Sequence, residues 1–77
     1  MTATRLQKYR EELLMTRAEL SQKSGLSIST INRIEQGKAR PTLTTIRKIL
    51  EVLGVPPSKR ELVFPSKEKE YYYYKEE

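Results

Sequence analysis

The chain has 77 residues, of which 36% are hydrophobic and 32% charged, so it has room for one small domain with a modest core. Lys and Arg number 15 against 10 acidic residues, all Glu, and the net charge of +5 favours an anionic partner. The absence of Cys and His excludes disulfides and thiolate or imidazole metal sites and removes the commonest general base. We therefore expect no metal, no cofactor and no enzymatic activity.

The positive charge belongs to the first part of the chain. Residues 1–65 hold 12 Lys and Arg and 6 Glu, whereas residues 66–77 have a net charge of −1 and form a charged, Tyr-rich tail. No apolar run approaches the ~20 residues that a membrane span needs, and the first residues lack the apolar segment of a secretion signal. We therefore expect a cytoplasmic protein without a membrane partner.

Apolar spacing and capping residues predict an all-α fold of five short helices, with no strand pattern before residue 70. The helices are expected over residues 4–14, 17–24, 28–36, 43–53 and 59–64. Hydroxyl residues suited to the N-cap stand at the starts of all five, at Thr4, Thr16, Ser27, Thr42 and Ser58. Glycines suited to a left-handed helix end follow the second, third and fourth, at Gly25, Gly37 and Gly54.

The helical spacing also predicts which side chains face the core. The inward positions are expected to be Leu6, Tyr9, Leu13, Ala18, Leu20, Ile31, Ile34, Leu43, Ile46, Ile49, Leu50 and Leu53. Three further apolar residues stand at junctions between helices and are expected to close the core, namely Met15, Leu26 and Val55.

The most informative segment is RAELSQKSGLSISTINRIEQ, residues 17–36. A short helix ends at a turn that contains Gly25, and a second helix begins at once, which is typical of a helix-turn-helix. Gly25 permits the positive φ of such a turn, and Ser21 is a small residue where the helices cross. The two helices are expected to pack through Leu20, Leu26, Ile31 and Ile34.

The other face of the third predicted helix is polar. Its residues are Ser27, Ser29, Thr30, Asn32, Arg33 and Gln36. Small residues allow a helix start to approach base edges closely, and Arg33 has the side chain that bonds bidentately to guanine. Ile28 is also expected to be exposed, where it would pack on a thymine methyl group. This pattern is typical of a helix that reads the major groove of DNA.

Arg10 and the segment from Met15 to Val55 resemble the lambda/434 repressor and Cro-like (XRE-type) family of helix-turn-helix regulators. The resemblance covers about residues 5–64 and rests on the order and spacing of Leu20, Gly25, Leu26, Ile31, Ile34, Glu35, Gly37, the Leu-Gly-Val at 53–55 and the Glu-Leu before Phe64. It implies a compact five-helix bundle and makes residues 1–65 a DNA-binding domain whose third helix reads bases.

The resemblance, with the polar face described above, assigns the site residues. Base readout is expected from Arg17, Ile28, Ser29, Thr30, Asn32 and Arg33, and backbone contact from Gln22, Ser27, Gln36, Lys38, Arg40 and Thr42. The resemblance also implies a structural ion pair between Arg10 and Glu35. Each assignment has a plainer alternative, since the hydroxyls also suit a helix start and the basic side chains also suit an ordinary solvated surface. Ile28 stands where family members often have Gln, so the operator sequence cannot be transferred.

These observations predict a nucleoid-associated transcriptional regulator, specifically a repressor that binds a palindromic site in double-stranded DNA as a homodimer. The expected dimer interface comprises Leu62, Val63, Phe64, Tyr71, Tyr72, Tyr73 and Tyr74. Three interpretations of the tail stay open: a disordered segment, an arm at the dimer interface, or a site for an unidentified protein partner. The last would make the chain an antitoxin-like or adaptor interaction module.

Overall fold

The computed structural model describes residues 4–65, which form four α-helices and one 3₁₀ helix. These are α1 (Arg5–Glu12), α2 (Arg17–Ser24), α3 (Ile28–Glu35), α4 (Leu43–Leu53) and the 3₁₀ helix Pro57–Leu62. The predicted all-helical fold of five short helices is therefore confirmed. The last helix begins and ends two residues earlier than expected, because the fixed φ of Pro57 suits the first turn of a helix. The prediction of Ser58 as its N-cap was therefore wrong, since Ser58 lies inside the helix and the start has no side-chain cap. Among residues 4–65, no helix has the length and apolar character of a membrane span.

The starts of the four α-helices are fixed by hydroxyl side chains. In each helix the side chain of the N-cap residue accepts a hydrogen bond of 3.0–3.2 Å from the backbone N–H three residues later. The N-caps are the predicted residues Thr4, Thr16, Ser27 and Thr42. Each cap satisfies a backbone N–H that would otherwise have no partner in the first turn.

The ends of α1, α3 and α4 share one hydrogen-bonding pattern, the Schellman motif. At the end of α4, the N–H of Val55 donates to the carbonyl of Leu50, and the N–H of Gly54 donates to that of Glu51. The left-handed residue of the motif is Gly54 in α4 and Gly37 after α3, as predicted, but in α1 it is Leu14. Because no glycine marks this position, the prediction that the first helix reaches residue 14 was wrong.

The core lies between α2, α4 and the segments that pack against them. Its buried apolar side chains are Leu6, Leu20, Ile31, Ile34, Ile46, Ile49, Leu50, Leu53, Val55, Val63 and Phe64. Most of the predicted inward positions are in this set, and the junction residues Met15 and Leu26 pack against it half-buried.

Three predicted core positions were wrong. Leu13 is 46% exposed because α1 ends before it, and Leu43 is 56% exposed because it lies one turn before the core contacts of α4 begin. Ala18 is also exposed, on the outer side of α2.

Candidate nucleic-acid interface

The turn between α2 and α3 is held by its own side chains. Gly25 ends α2 with φ 80°, a conformation that other residues rarely adopt. The hydroxyl of Ser21 donates to the carbonyl of Leu26 at 2.5 Å, and the N–H of Leu26 donates to the hydroxyl of Ser24 at 3.2 Å. The turn therefore fixes the direction of α3 relative to α2.

Helix α3 has two faces with different compositions. Ile31, Ile34 and Glu35 are buried, which attaches the helix to the rest of the domain. On the other side Ile28 is 46% exposed, and the side chains of Ser29 and Arg33 are also exposed. These are three of the six residues expected to read bases, and the side chains of all three are accessible.

Several predicted contact residues already make hydrogen bonds within the protein. The Ser27 hydroxyl accepts from the N–H of Thr30 at 3.1 Å and donates to its hydroxyl at 2.9 Å. Thr42 makes the same two bonds with Thr45 at the start of α4. These hydroxyls therefore stabilise helix starts, which is the plainer of their two sequence interpretations. Thr30 and Asn32 are half-buried at the edge of the exposed face.

Exposed basic and polar side chains occur before and after α3 in the chain. Gln22 lies on α2 and Gln36 ends α3, and both are exposed. Lys38 and Arg40 are exposed in the loop that joins α3 to α4. The N–H of Lys38 donates to the carbonyl of Arg33 at 2.8 Å, so the start of this loop is anchored to α3. Cationic side chains on an exposed loop are suited to bind phosphates.

The ion pair implied between Arg10 and Glu35 is present and buried. Nε of Arg10 donates to Oε2 of Glu35 at 2.6 Å, and Nη2 donates to Oε1 at 3.0 Å. This bond to Glu35 raises the pKa of the Arg10 guanidinium and outweighs the opposing effect of burial. The pair joins α1 to the end of α3.

Arg17 was expected to reach DNA, and the structure adds a contact that the sequence did not predict. Its Nε donates to Oε1 of Glu35 at 2.8 Å, so the buried carboxylate binds two guanidinium groups. The two residues are 18 positions apart. No local pattern indicates such a contact, because it depends on how α2 and α3 pack.

The residues expected at the dimer interface differ in their exposure. Val63 and Phe64 are 2% and 7% exposed in the core of their own chain, so their side chains are not available to a second copy. Leu62 is 47% exposed and remains on the surface. Residues Tyr71 to Tyr74 lie outside the described residues. Within residues 4–65, no group of metal-ligating side chains has an arrangement that could hold a metal ion.

Comparison with known proteins identifies the family to which the chain belongs. A helix-turn-helix family model matches residues 6–59, which span all four α-helices apart from the first residue of α1. Searches of curated proteins and of solved structures returned no match. The matched region contains the turn at Gly25 and the two-faced helix α3 described above. The chain therefore belongs to the helix-turn-helix family of lambda/434 repressor and Cro-like regulators and is a DNA-binding regulator.

Proposed function

We propose that the protein is a transcriptional repressor that binds a palindromic operator as a homodimer, with one α3 in the major groove at each half-site. The observation that carries this proposal is the exposed face of α3, where Ile28, Ser29 and Arg33 stand clear of the core. An α-helix with its side chains is about 10–12 Å in diameter, and the major groove is about 12 Å wide. The first turns of α3 are thus of a size to enter the groove.

The proposed contacts divide into two groups. Arg33 would donate to guanine O6 and N7, while Ile28 would pack on a thymine methyl group and Ser29 would bond to a base edge. Lys38 and Arg40 would bind phosphates and fix the position of α3 along the duplex. In this arrangement Ser27 and Thr42 contribute through the helix starts that they cap.

Size supports the proposed dimer. A single helix-turn-helix buries too little surface for strong specificity, so regulators of this build bind two half-sites about 34 Å apart. The protein measures 30 × 29 × 24 Å, so the centres of two copies side by side would lie about 24–30 Å apart, a distance compatible with half-sites at this spacing. The exposed Leu62, near the end of the domain, is the side chain that we place at the contact between copies.

Selection from a randomised duplex DNA pool at ~150 mM salt tests this proposal, since non-specific binding is weak at that ionic strength. A palindromic motif is the expected result. An unpaired half-site would contradict the dimer. Absence of any enriched motif would contradict sequence-specific binding and favour the interaction-module alternative.

Repression needs a separate test with the selected motif. The motif is placed across a promoter that drives a reporter gene, and the protein is expressed from a second plasmid. Reporter output should fall, and it should recover when Arg33 is replaced by Ala. A rise in output would show activation and contradict the repressor assignment.

A further inference from the structure

The carboxylate of Glu35 is fixed in place by Arg10. Its side chain is 1% exposed, and both of its oxygens accept hydrogen bonds from Arg10, whose side chain is 7% exposed. The third Arg10 nitrogen, Nη1, donates to the carbonyl of Met15 at 2.7 Å. All three nitrogens of Arg10 are therefore bonded, and the carboxylate cannot rotate without breaking this arrangement.

Arg17 binds the same carboxylate from the surface. It is the first residue of α2, its side chain is 40% exposed, and its Nε donates to Oε1 of Glu35 at 2.8 Å. A guanidinium has five N–H donors, of which Nε carries one and the two terminal nitrogens carry four. The bond to Glu35 thus uses the donor nearest the backbone and leaves the end of the side chain for a ligand.

The buried carboxylate does not need Arg17 as a partner. Glu35 lies between two guanidinium groups, and Arg10 alone already supplies both of its oxygens with donors. Arg10 also pairs with the exposed carboxylate of Glu11 at 3.8 Å, whereas Arg17, with a 40% exposed side chain, presents its charge at the surface. In a helix-turn-helix, the first helix of the motif crosses the DNA backbone, so Arg17 stands where phosphates pass.

We infer that Glu35 is a positioning residue for DNA binding, which holds Arg17 so that the terminal nitrogens of this side chain bind a backbone phosphate. This inference rests on the proposed function and adds a role to a residue that otherwise only joins helices. A free Arg side chain loses rotamer freedom when it binds. Arg17 has already lost part of that freedom in the folded protein, so less of the phosphate interaction is offset on binding.

Arg17→Ala and Arg17→Lys separate charge from position. Binding to the selected duplex is measured by fluorescence anisotropy over a series of salt concentrations. Arg17→Ala should weaken binding roughly tenfold to a hundredfold and lower the salt slope by ~1. Arg17→Lys keeps the charge but lacks Nε, so it should weaken binding about threefold to tenfold with an unchanged salt slope.

A matched control is Arg47→Lys. Arg47 lies on α4, its side chain is 58% exposed, and it pairs with a neighbouring carboxylate, Glu51, at 3.8 Å. The same loss of guanidinium geometry there should leave DNA affinity unchanged. If Arg17→Lys binds as tightly as the unaltered protein, positioning by Glu35 is refuted.

A double-mutant cycle tests the role of Glu35 directly. Arg10→Met combined with Glu35→Leu removes the buried pair together, an exchange that other proteins tolerate without loss of fold. In that background Arg17 has lost its partner, so adding Arg17→Lys should cause no further loss of affinity. A loss as large as in the unaltered core would refute the inference. Circular dichroism checks that the double variant is folded, and if it is not, the comparison of Arg17→Lys with Arg47→Lys decides.

The two proposals fail in different ways. If the unaltered protein selects no duplex, the proposed function fails and this inference fails with it. If the unaltered protein binds a selected duplex and Arg17→Lys binds equally well, only the positioning role of Glu35 is lost.

Discussion

Leu14 is the residue whose replacement tests the helix-end geometry most directly. It has φ 58° and occupies the left-handed position at the end of α1. The N–H of Met15 donates to the carbonyl of Arg10, and the N–H of Leu14 donates to that of Glu11, the same pair of bonds that ends α3 and α4 at glycines. A left-handed conformation costs an L-residue about 1–2 kcal/mol, and glycine avoids this cost. We therefore expect Leu14→Gly to stabilise the protein.

Three contributions determine how much Leu14→Gly changes the free energy of unfolding. Relief of the left-handed strain contributes about 1–2 kcal/mol, and the larger backbone entropy of unfolded glycine offsets about 0.5–1 kcal/mol of it. The Leu14 side chain is 89% exposed, so losing its contacts costs only about 0.3 kcal/mol. The net gain is about 0.5 kcal/mol, which raises the Tm by roughly 2–4 °C in a domain of this size. Thermal and urea unfolding followed by circular dichroism measure it.

Two control variants test whether left-handed backbone strain explains the effect of Leu14→Gly. Leu13→Gly changes the preceding residue, which has φ −87°, so it relieves no strain and should destabilise the protein by about 1 kcal/mol. Gly54→Ala places a side chain at φ 77° with no atom within 4 Å of the new Cβ, so it causes no clash. The expected loss of stability is the strain of about 1–2 kcal/mol less the entropy gain of about 0.5–1 kcal/mol. If Leu14→Gly lowers the Tm as much as Leu13→Gly does, the strain argument is wrong.

Three further predictions concern the ion pair and the DNA contacts. Glu35→Ala leaves Arg10 buried without its carboxylate and should lower the free energy of unfolding, measured in urea, by about 3–5 kcal/mol. Arg17→Ala, at a 40% exposed side chain, should lower it by less than about 1 kcal/mol. Equal losses would contradict the assignment of Arg10 as the buried partner. Arg33→Ala should weaken binding to the selected duplex by about 1–3 kcal/mol and relax one base position, which a repeat of the selection detects as a lost preference. Lys38→Ala should weaken all duplexes alike and lower the salt slope by ~1, and a change of base preference instead would place Lys38 in the groove.

Local sequence signals predicted the parts of the fold that depend on neighbouring residues. The four N-caps could be predicted because a hydroxyl side chain accepts a hydrogen bond from the first turn of its own helix. The left-handed glycines could be predicted because glycine, which has no Cβ, adopts a positive φ without strain. The end of α1 could not be predicted, because Leu14 adopts the left-handed conformation although it is not a glycine. Leu43 was placed in the core because periodicity gives the face of a helix but not how far along that face its neighbours extend.

The candidate site likewise has features that local spacing predicts and features that depend on tertiary packing. The exposed face of α3 followed from its apolar spacing, since Ile31 and Ile34 define the side that must be buried and leave Arg33 on the other. The bond between Arg17 and Glu35 depends on tertiary packing and has no counterpart in local spacing. The burial of Val63 and Phe64 was missed for a related reason, because an apolar run near a chain end suits a core and an interface equally.

The two faces of α3 also bear on how such a regulator changes its target. The residues that attach the helix, Ile31, Ile34 and Glu35, are different from those that stand exposed, Ile28, Ser29 and Arg33. Exchanges at exposed positions usually alter stability by less than about 0.5 kcal/mol. A lineage with this architecture is therefore free to change the surface it presents to DNA through intermediates that all remain folded.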